Sequence, residues 1–456
     1  MTALTMNATT TTTPAAGALP IGFEKAAGDK QTRKSIKKYF PLGQIMSKGQ
    51  NNPITLHSVN EDVFPRMWSF MAEVMIVDGE LPRSVKEEVA LLVSTKNQCP
   101  MCVTAHRMMG EAAKRAEQSS KKAKQMSDEE KEQEEKLYLQ VMDYAELLIV
   151  DTIKYRNKTQ PKMVDNSYGD LMALEADDSS SSGLCSDTSN SSSSSNRSKD
   201  EPFPLLSAKA KAEVALVVVL YFHMNRIISA VLGEQMSKAM FSVPEGAAKR
   251  MESQSVMSVV NKMMAPFLAG GMKKERKPGI TSSLFPQGSS CLEAMPRHLM
   301  GAEQAGEERA DALARVVAWA KCYEELMVSQ KIVPREVIDF LENPQRQPSH
   351  ALRPSKVSIW ATTEMKKLIR VCLRKEDEYT QAVTQVLCLV TYSPQSLKNS
   401  VAWQDVVKQV GEGQAKTLVV WWSLRESTKR AQGLEKPKLA GKRKSRRSSR
   451  NSLGPL

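Results

Sequence analysis

Aromatic side chains make up only 5% of this chain, so its core cannot be built mainly on ring packing. No stretch alternates apolar and polar residues over a convincing strand length, which excludes a sheet-based fold. A secretory signal is also missing. The N-terminus "MTALTMNATTTTTPAAGALPIGF" has neither a charged n-region nor an apolar h-region. It is acid-free as far as Glu24 and rich in Thr, as organelle transit peptides are, yet it lacks the Arg of a mitochondrial one. The longest apolar run, "VALVVVLYF" from Val214 to Phe222, meets His223, Asn225 and Arg226 too soon to cross a bilayer. Seven cysteines form no even, closely spaced disulfide framework. These absences predict a soluble, intracellular protein in a reducing compartment, with no membrane partner. The cytoplasm is the first expectation, and the nucleus or an organelle are the alternatives.

What is present points to helices. The 456 residues include 25 Met, flexible side chains that fill irregular gaps between helices. The formal charge of +13 owes much to "KPKLAGKRKSRRSSR", Lys436 to Arg450, which has eight bases and no acid. A solvated tail and a nuclear-localisation or weak nucleic-acid arm both fit that composition. With no aromatic residue interleaved it offers no stacking platform, so nucleic acid is not expected as the main partner.

The chain divides by composition. Residues 1–50 read as a polar, disordered leader. Within 51–158, "FPRMWSFMAEVMIVDGELP", "PRSVKEEVALLVSTKN" and a segment from Cys99 through "AHRMMGEAAKRA" carry helical periodicity. A charged stretch, "KKAKQMSDEEKEQEEK", reads as a solvated helix or spacer, and "LYLQVMDYAELLIVDTIKY" restores the apolar stripe. Residues 159–202 are a serine-rich insertion too polar to offset its chain entropy. In 203–265, "KAEVALVVV" echoes "KEEVALLVS" 125 residues earlier, which predicts a second, thiol-free lobe of the same helical unit. There His223, Asn225 and Arg226 read as structural, with an Arg226–Glu213 contact as the expected reason. A connector at 266–308, a helical region at 309–430 with a degenerate third repeat as one reading, and a basic tail at 431–456 complete the chain. The fold class expected is all-α.

Chemistry concentrates in "NQCPMCVTAHRMMG", Asn97 to Gly110. A helix starting near Cys99 places Cys102 one turn on and His106 nearly back on the line of Cys99. Unpaired backbone N–H groups in that first turn favour a thiolate, and the second thiol can close a disulfide after oxidation. If "VKEEVALLV" packs antiparallel to this helix, Glu87 and His106 lie on arms of roughly 15 and 12 Å and meet across the hairpin. The carboxylate would then orient the imidazole as a base for Cys102. Glu88 is an alternative to Glu87 by periodicity, and Ser84 with Glu87 also reads as a capping box. A metal held by the thiols and His106 is disfavoured because no second ligand pair follows. Haem attachment is excluded because Val103 follows Cys102. Cys322, Cys372 and Cys388 read as packing residues, and Cys185 and Cys291 lie in polar segments.

The stretch "LPRSVKEEVALLVSTKNQCPMCVTAH" resembles the core motif of the alkylhydroperoxidase D-like, or carboxymuconolactone decarboxylase-like, family: Glu, eleven residues, Cys-X-X-Cys, three residues, His. The resemblance spans about 50 residues and selects Glu87 over Glu88. It implies a helical-hairpin fold in repeated lobes and a thiol peroxidase or disulfide reductase. Cys102 would be the peroxide-attacking thiolate, Cys99 the resolving thiol, and His106 with Glu87 the proton relay. No bound cofactor is implied. Electrons would come from an external dithiol donor, lipoyl or thioredoxin type, and homo-oligomers are common in the family. Met101 stands where some members carry an extra histidine, which shortens the relay. The alternatives are a non-catalytic, redox-sensing interaction protein and, third, a lyase of the decarboxylase type.

Overall fold

The computed structural model describes residues 29–40, 54–59, 63–121, 127–158, 203–232, 327–342 and 376–432, with short stretches and single positions between 269 and 374. Every regular element among them is helical. The serine-rich insertion, the basic tail, Cys185, Cys291, Cys322 and Cys372 lie outside the described residues.

The first helix, α1 (Asp29–Tyr39), corrects the expectation of a structureless leader at those positions. Its apolar stripe is narrow enough to escape a periodicity search. Only Thr32 and Ile36, one turn apart, are buried, while its lysines and Arg33 face outward. Ile36 joins Ile54, Phe64, Trp68, Ala72 and Leu284 in a small core of its own. The buried indole of Trp68 donates to Ser35 Oγ at 2.9 Å, satisfying the polar end that burial would otherwise strand.

After a 3₁₀ turn (Thr55–Val59), α2 (Val63–Met71) runs into a π-helical turn at Ala72–Ile76 and stops before Asp78-Gly79. Two helices then form an antiparallel hairpin, α3 (Arg83–Lys96) and α4 (Pro100–Lys121). From Asp128 onward the charged stretch and the stripe that follows are one element, α5 (Asp128–Lys158), 31 residues long. Its start has a reciprocal capping box. Ser127 N–H donates to Glu130 Oε2 at 2.8 Å, and Glu130 N–H donates to Ser127 Oγ at 3.2 Å.

The centre of the molecule is α6 (Ala208–Leu232). It is long and apolar enough to cross a membrane by composition, with mean hydropathy 1.8 over its most apolar window. In the fold it is buried from Ala212 to Val231, against α3, α5 and two later helices, α8 and α9. Those are preceded by α7 (Arg335–Glu342), whose buried Val337, Ile338, Phe340 and Leu341 define one face. α8 spans Glu378–Tyr392 and α9 spans Val401–Gln432, the latter kinked at Gly411, whose φ of 82° no L side chain adopts without strain. The adjacent Trp421 and Trp422 of α9 are both buried, and Trp422 Nε1 donates to Thr391 Oγ1 at 2.7 Å. Helices α3, α5, α6, α7, α8 and α9 all contribute to one continuous apolar core.

The echo between "KEEVALLVS" and "KAEVALVVV" has a specific structural meaning. The two helices that carry it, α3 and α6, pack side by side and run parallel. Glu213 near the start of α6 meets the start of α3 at Leu81 and Lys86, and Ser94 near the end of α3 donates to Asn225 Oδ1 at 3.3 Å. Where α3 stops and turns at Asn97–Cys99, α6 continues unbroken through Met224. Among the described residues the likeness therefore covers one helix, which runs on through the counterpart of the turn; the rest of the expected second lobe, 233–265, lies outside them.

Candidate functional site

The α3–α4 turn is set by backbone chemistry. Cys99 N–H donates to Ser94 O at 3.0 Å and Gln98 N–H donates to Thr95 O at 3.1 Å, with Gln98 at φ 54°. This is the helix-terminating pattern that usually places Gly in the left-handed position. It reverses the chain in two residues and lets α4 begin at Pro100, whose missing N–H costs nothing at a first helical position. Cys99 becomes the residue that caps α4, and Cys102 lies in its first turn.

Cys99 and Cys102 are joined in a disulfide, with Cα atoms 5.3 Å apart. Both are buried, at 0% and 4% exposure. His106 follows Cys102 by one turn on α4, so the two side chains share a helix face.

Across the hairpin, His106 Nδ1 bonds Glu87 Oε2 at 2.7 Å, and both side chains are buried. The other carboxylate oxygen receives Arg83 from one turn earlier on α3, at 2.7 Å from Nε and 2.6 Å from Nη2. Burial opposes the charge on Glu87. The Arg83 guanidinium and the bond from His106 outweigh it and hold the carboxyl below its ordinary range. Arg83 is itself anchored, because its Nη1 donates to Met75 O at the end of the π-helical turn. With Nδ1 committed to Glu87, Nε2 is the ring nitrogen left to exchange a proton.

Glu88 points elsewhere. Its carboxylate accepts from Tyr138 and pairs with Lys114, so the choice left open by periodicity falls to Glu87. Ser84 does not cap α3 with Glu87 either, because its N–H and hydroxyl both donate to Glu117, at 2.9 and 2.6 Å.

Two features of the site have no signal in the hairpin sequence. Tyr221 of α6 packs edge-on against the His106 ring, centroids 4.2 Å apart. Burial and the nearby Glu87 charge push the Tyr221 hydroxyl well above its usual range, keeping it neutral. The second feature is the carboxylate of Glu213, which accepts from the Glu80 and Leu81 N–H groups at 3.0 and 3.2 Å and lies 3.6 Å from Lys86 Nζ. Glu213 stands thirteen residues before Arg226 on one continuous helix, roughly 20 Å away along the axis. The expected Arg226–Glu213 contact is therefore absent. Arg226 instead lies 6.0 Å from the Phe222 ring centroid. Asn225 meets Ser94, and His223 Nε2 lies 3.1 Å from His57 Nε2. Burial, then the neighbouring His57 and Arg226, hold His223 well below the usual imidazole range, so it is neutral.

The remaining described thiol, Cys388, is buried in α8. Among the described residues, no three His, Cys, Asp or Glu side chains gather as a metal site. The site is thus a buried disulfide one helical turn from a buried carboxylate–imidazole pair. No family model, no curated protein and no solved structure matches this chain.

Proposed function

We propose that this chain is a thiol-dependent hydroperoxide reductase of the alkylhydroperoxidase D-like type. The observation that carries the reading is the buried Glu87–His106 bond of 2.7 Å, one helical turn from a joined Cys99–Cys102 pair. A carboxylate held on the imidazole orients it and favours its protonated form, the form a base reaches on accepting a thiol proton.

In the reduced protein, His106 takes the Cys102 proton and the thiolate attacks the terminal peroxide oxygen. The O–O bond breaks, an alcohol leaves with the proton returned by His106, and Cys102 becomes a sulfenic acid. The Cys99 sulfur then displaces water from it, forming the Cys99–Cys102 disulfide. An external dithiol, of lipoyl or thioredoxin type, reduces that bond and is itself oxidised to a disulfide. Both sulfurs are buried, so the packing over Cys102 must shift for peroxide and reductant to reach it. The test is steady-state hydroperoxide consumption with a small dithiol as donor. Wild type should turn over, and Cys102→Ser should show no activity above background; a fully active Cys102→Ser protein ends this assignment.

The burial itself favours a second reading, a redox-sensing interaction protein whose pair switches binding instead of turning over. That reading predicts negligible peroxide turnover, together with partner capture that differs between the reduced and oxidised chain. The decarboxylase-type lyase reading has no feature of the site in its favour.

A further inference from the structure

A cavity lies in a groove between α3, α4 and α5, beside Glu88. It has a volume of about 440 Å³, within the range of roughly 300–1,000 Å³ over which proteins hold ligands. Val85, Leu137 and Val141 form an apolar floor, and Glu117, Glu134 and Glu135 stand at its edge. Two lysines also line it, but both are already engaged by acids. Lys114 pairs with Glu88, and Lys131 lies 2.8 Å from Asp128.

The acidic character extends beyond the cavity. Asp128–Lys136 of α5, "DEEKEQEEK", holds six acids and two lysines, a net charge of −4 over nine residues. Apolar floor and acidic rim together select a cationic segment that also carries aliphatic side chains. The sequence supplies one. Residues 434–450, "LEKPKLAGKRKSRRSSR", place Leu434 and Leu439 among the eight bases of the tail.

We infer that the basic segment Lys436–Arg450 of this same chain docks in the α3–α4–α5 groove, with Leu439 on the apolar floor and its lysines and arginines on the acidic rim. Helix α9 packs against α5 and ends at Gln432, and the seven residues from there to Leu439 span up to about 24 Å when extended. A tether of that kind gives an effective concentration on the order of millimolar, which favours the chain's own segment over a basic peptide from another protein. The groove is built partly on Glu88, the neighbour of Glu87 on α3, so occupancy would bear on the helix that carries the relay without touching its residues.

Zero-length carbodiimide coupling of the full chain, followed by peptide mapping, tests the docking. A mixture of isotopically labelled and unlabelled chains separates coupling within one chain from coupling between chains. The expected result is that Lys438, Lys442 or Lys444 joins Glu134 or Glu135 within one chain. Coupling should disappear in about 0.5 M salt, where the Debye length is about 4 Å. It should fall about tenfold in Leu439→Asp, which leaves every tail lysine and every groove carboxylate in place but adds an acid and desolvates poorly on the floor. Tail lysines joined to carboxylates outside the groove, joined only between chains, or joined to none, each overturn the inference. So does a Leu439→Asp chain that couples as well as wild type.

Discussion

Replacing Glu87 by Gln removes one negative charge from the middle of the α3–α4 hairpin while keeping its shape. In the wild type that carboxylate is 0% exposed, bonds His106 Nδ1 at 2.7 Å and holds two nitrogens of Arg83 at 2.7 and 2.6 Å. The amide can still accept from one neighbour, but Arg83 loses its counter-charge. Breaking a buried pair from one side costs about 3–5 kcal/mol. Arg83 is 17% exposed, so water relieves part of that loss and about 2–3 kcal/mol is expected. The sign with pH follows from the depressed carboxyl of Glu87. A group held below its ordinary value of 4.5 contributes its full stability above that value and loses it as the pH falls through the folded value. The difference between wild type and Glu87→Gln should therefore be largest near neutral pH and close in acid. Urea denaturation followed by helical circular dichroism, at neutral pH and in steps below 4.5, measures it. A difference under about 0.5 kcal/mol at neutral pH, or one that widens in acid, would refute the electrostatic account of the hairpin. The same variant should lower peroxide kcat/KM by about 10²–10⁴-fold, the usual span for losing an acid–base partner.

Other expectations follow from single contacts. A Cβ at Gly79 would lie 2.6 Å from the Glu213 carboxyl carbon, so Gly79→Ala should cost about 2–3 kcal/mol; in a Glu213→Ala background the same change should cost under about 1 kcal/mol in a double-mutant cycle. Gln98 occupies the left-handed position of the α3–α4 turn, and Gln98→Gly should stabilise the chain by about 1 kcal/mol in the same denaturation assay. Buried Glu73 accepts from Gly279 N–H at 3.0 Å and Thr281 Oγ1 at 3.1 Å, and burial pushes its carboxyl up to about 7. A raised carboxyl makes the folded state hold its proton more tightly, so stability drains away as pH rises from 4.5 to about 7. Glu73→Gln should remove that slope and gain about 3 kcal/mol above neutrality, with a fit to denaturation midpoints against pH as the check.

The hairpin was legible because its determinants are local. Helical periodicity placed α3 and α4, arm length brought Glu87 opposite His106, and the spacing of the thiols suited one helical turn. What sequence reasoning missed depends on partners far along the chain. Tyr221 reaches His106 from a helix more than a hundred residues later, and nothing in "VALVVVLYF" marks one ring in an apolar run as a site contact. Glu213 looked like half of a local ion pair, yet its carboxylate accepts from the backbone N–H groups of Glu80 and Leu81 and lies beside Lys86, all more than a hundred residues earlier in the chain. Helix α1 hid because two buried positions among five bases give too weak a stripe. The echo between α3 and α6 is ambiguous for a related reason. A helix buried on every side and one arm of a hairpin share the same apolar text, and only the left-handed break at Gln98 distinguishes them.

The central claim concerns what happens at two sulfurs, and counting them tests it most directly. The fully reduced chain should be given one equivalent of an organic hydroperoxide, and its free thiols titrated before and after. Wild type should consume the peroxide and lose two thiols to the Cys99–Cys102 disulfide. Cys99→Ser should stop at a trappable sulfenic acid on Cys102, and Cys102→Ser should leave the peroxide intact. A wild-type chain that keeps all its thiols while peroxide persists, or a Cys102→Ser chain that consumes it at the wild-type rate, contradicts the account.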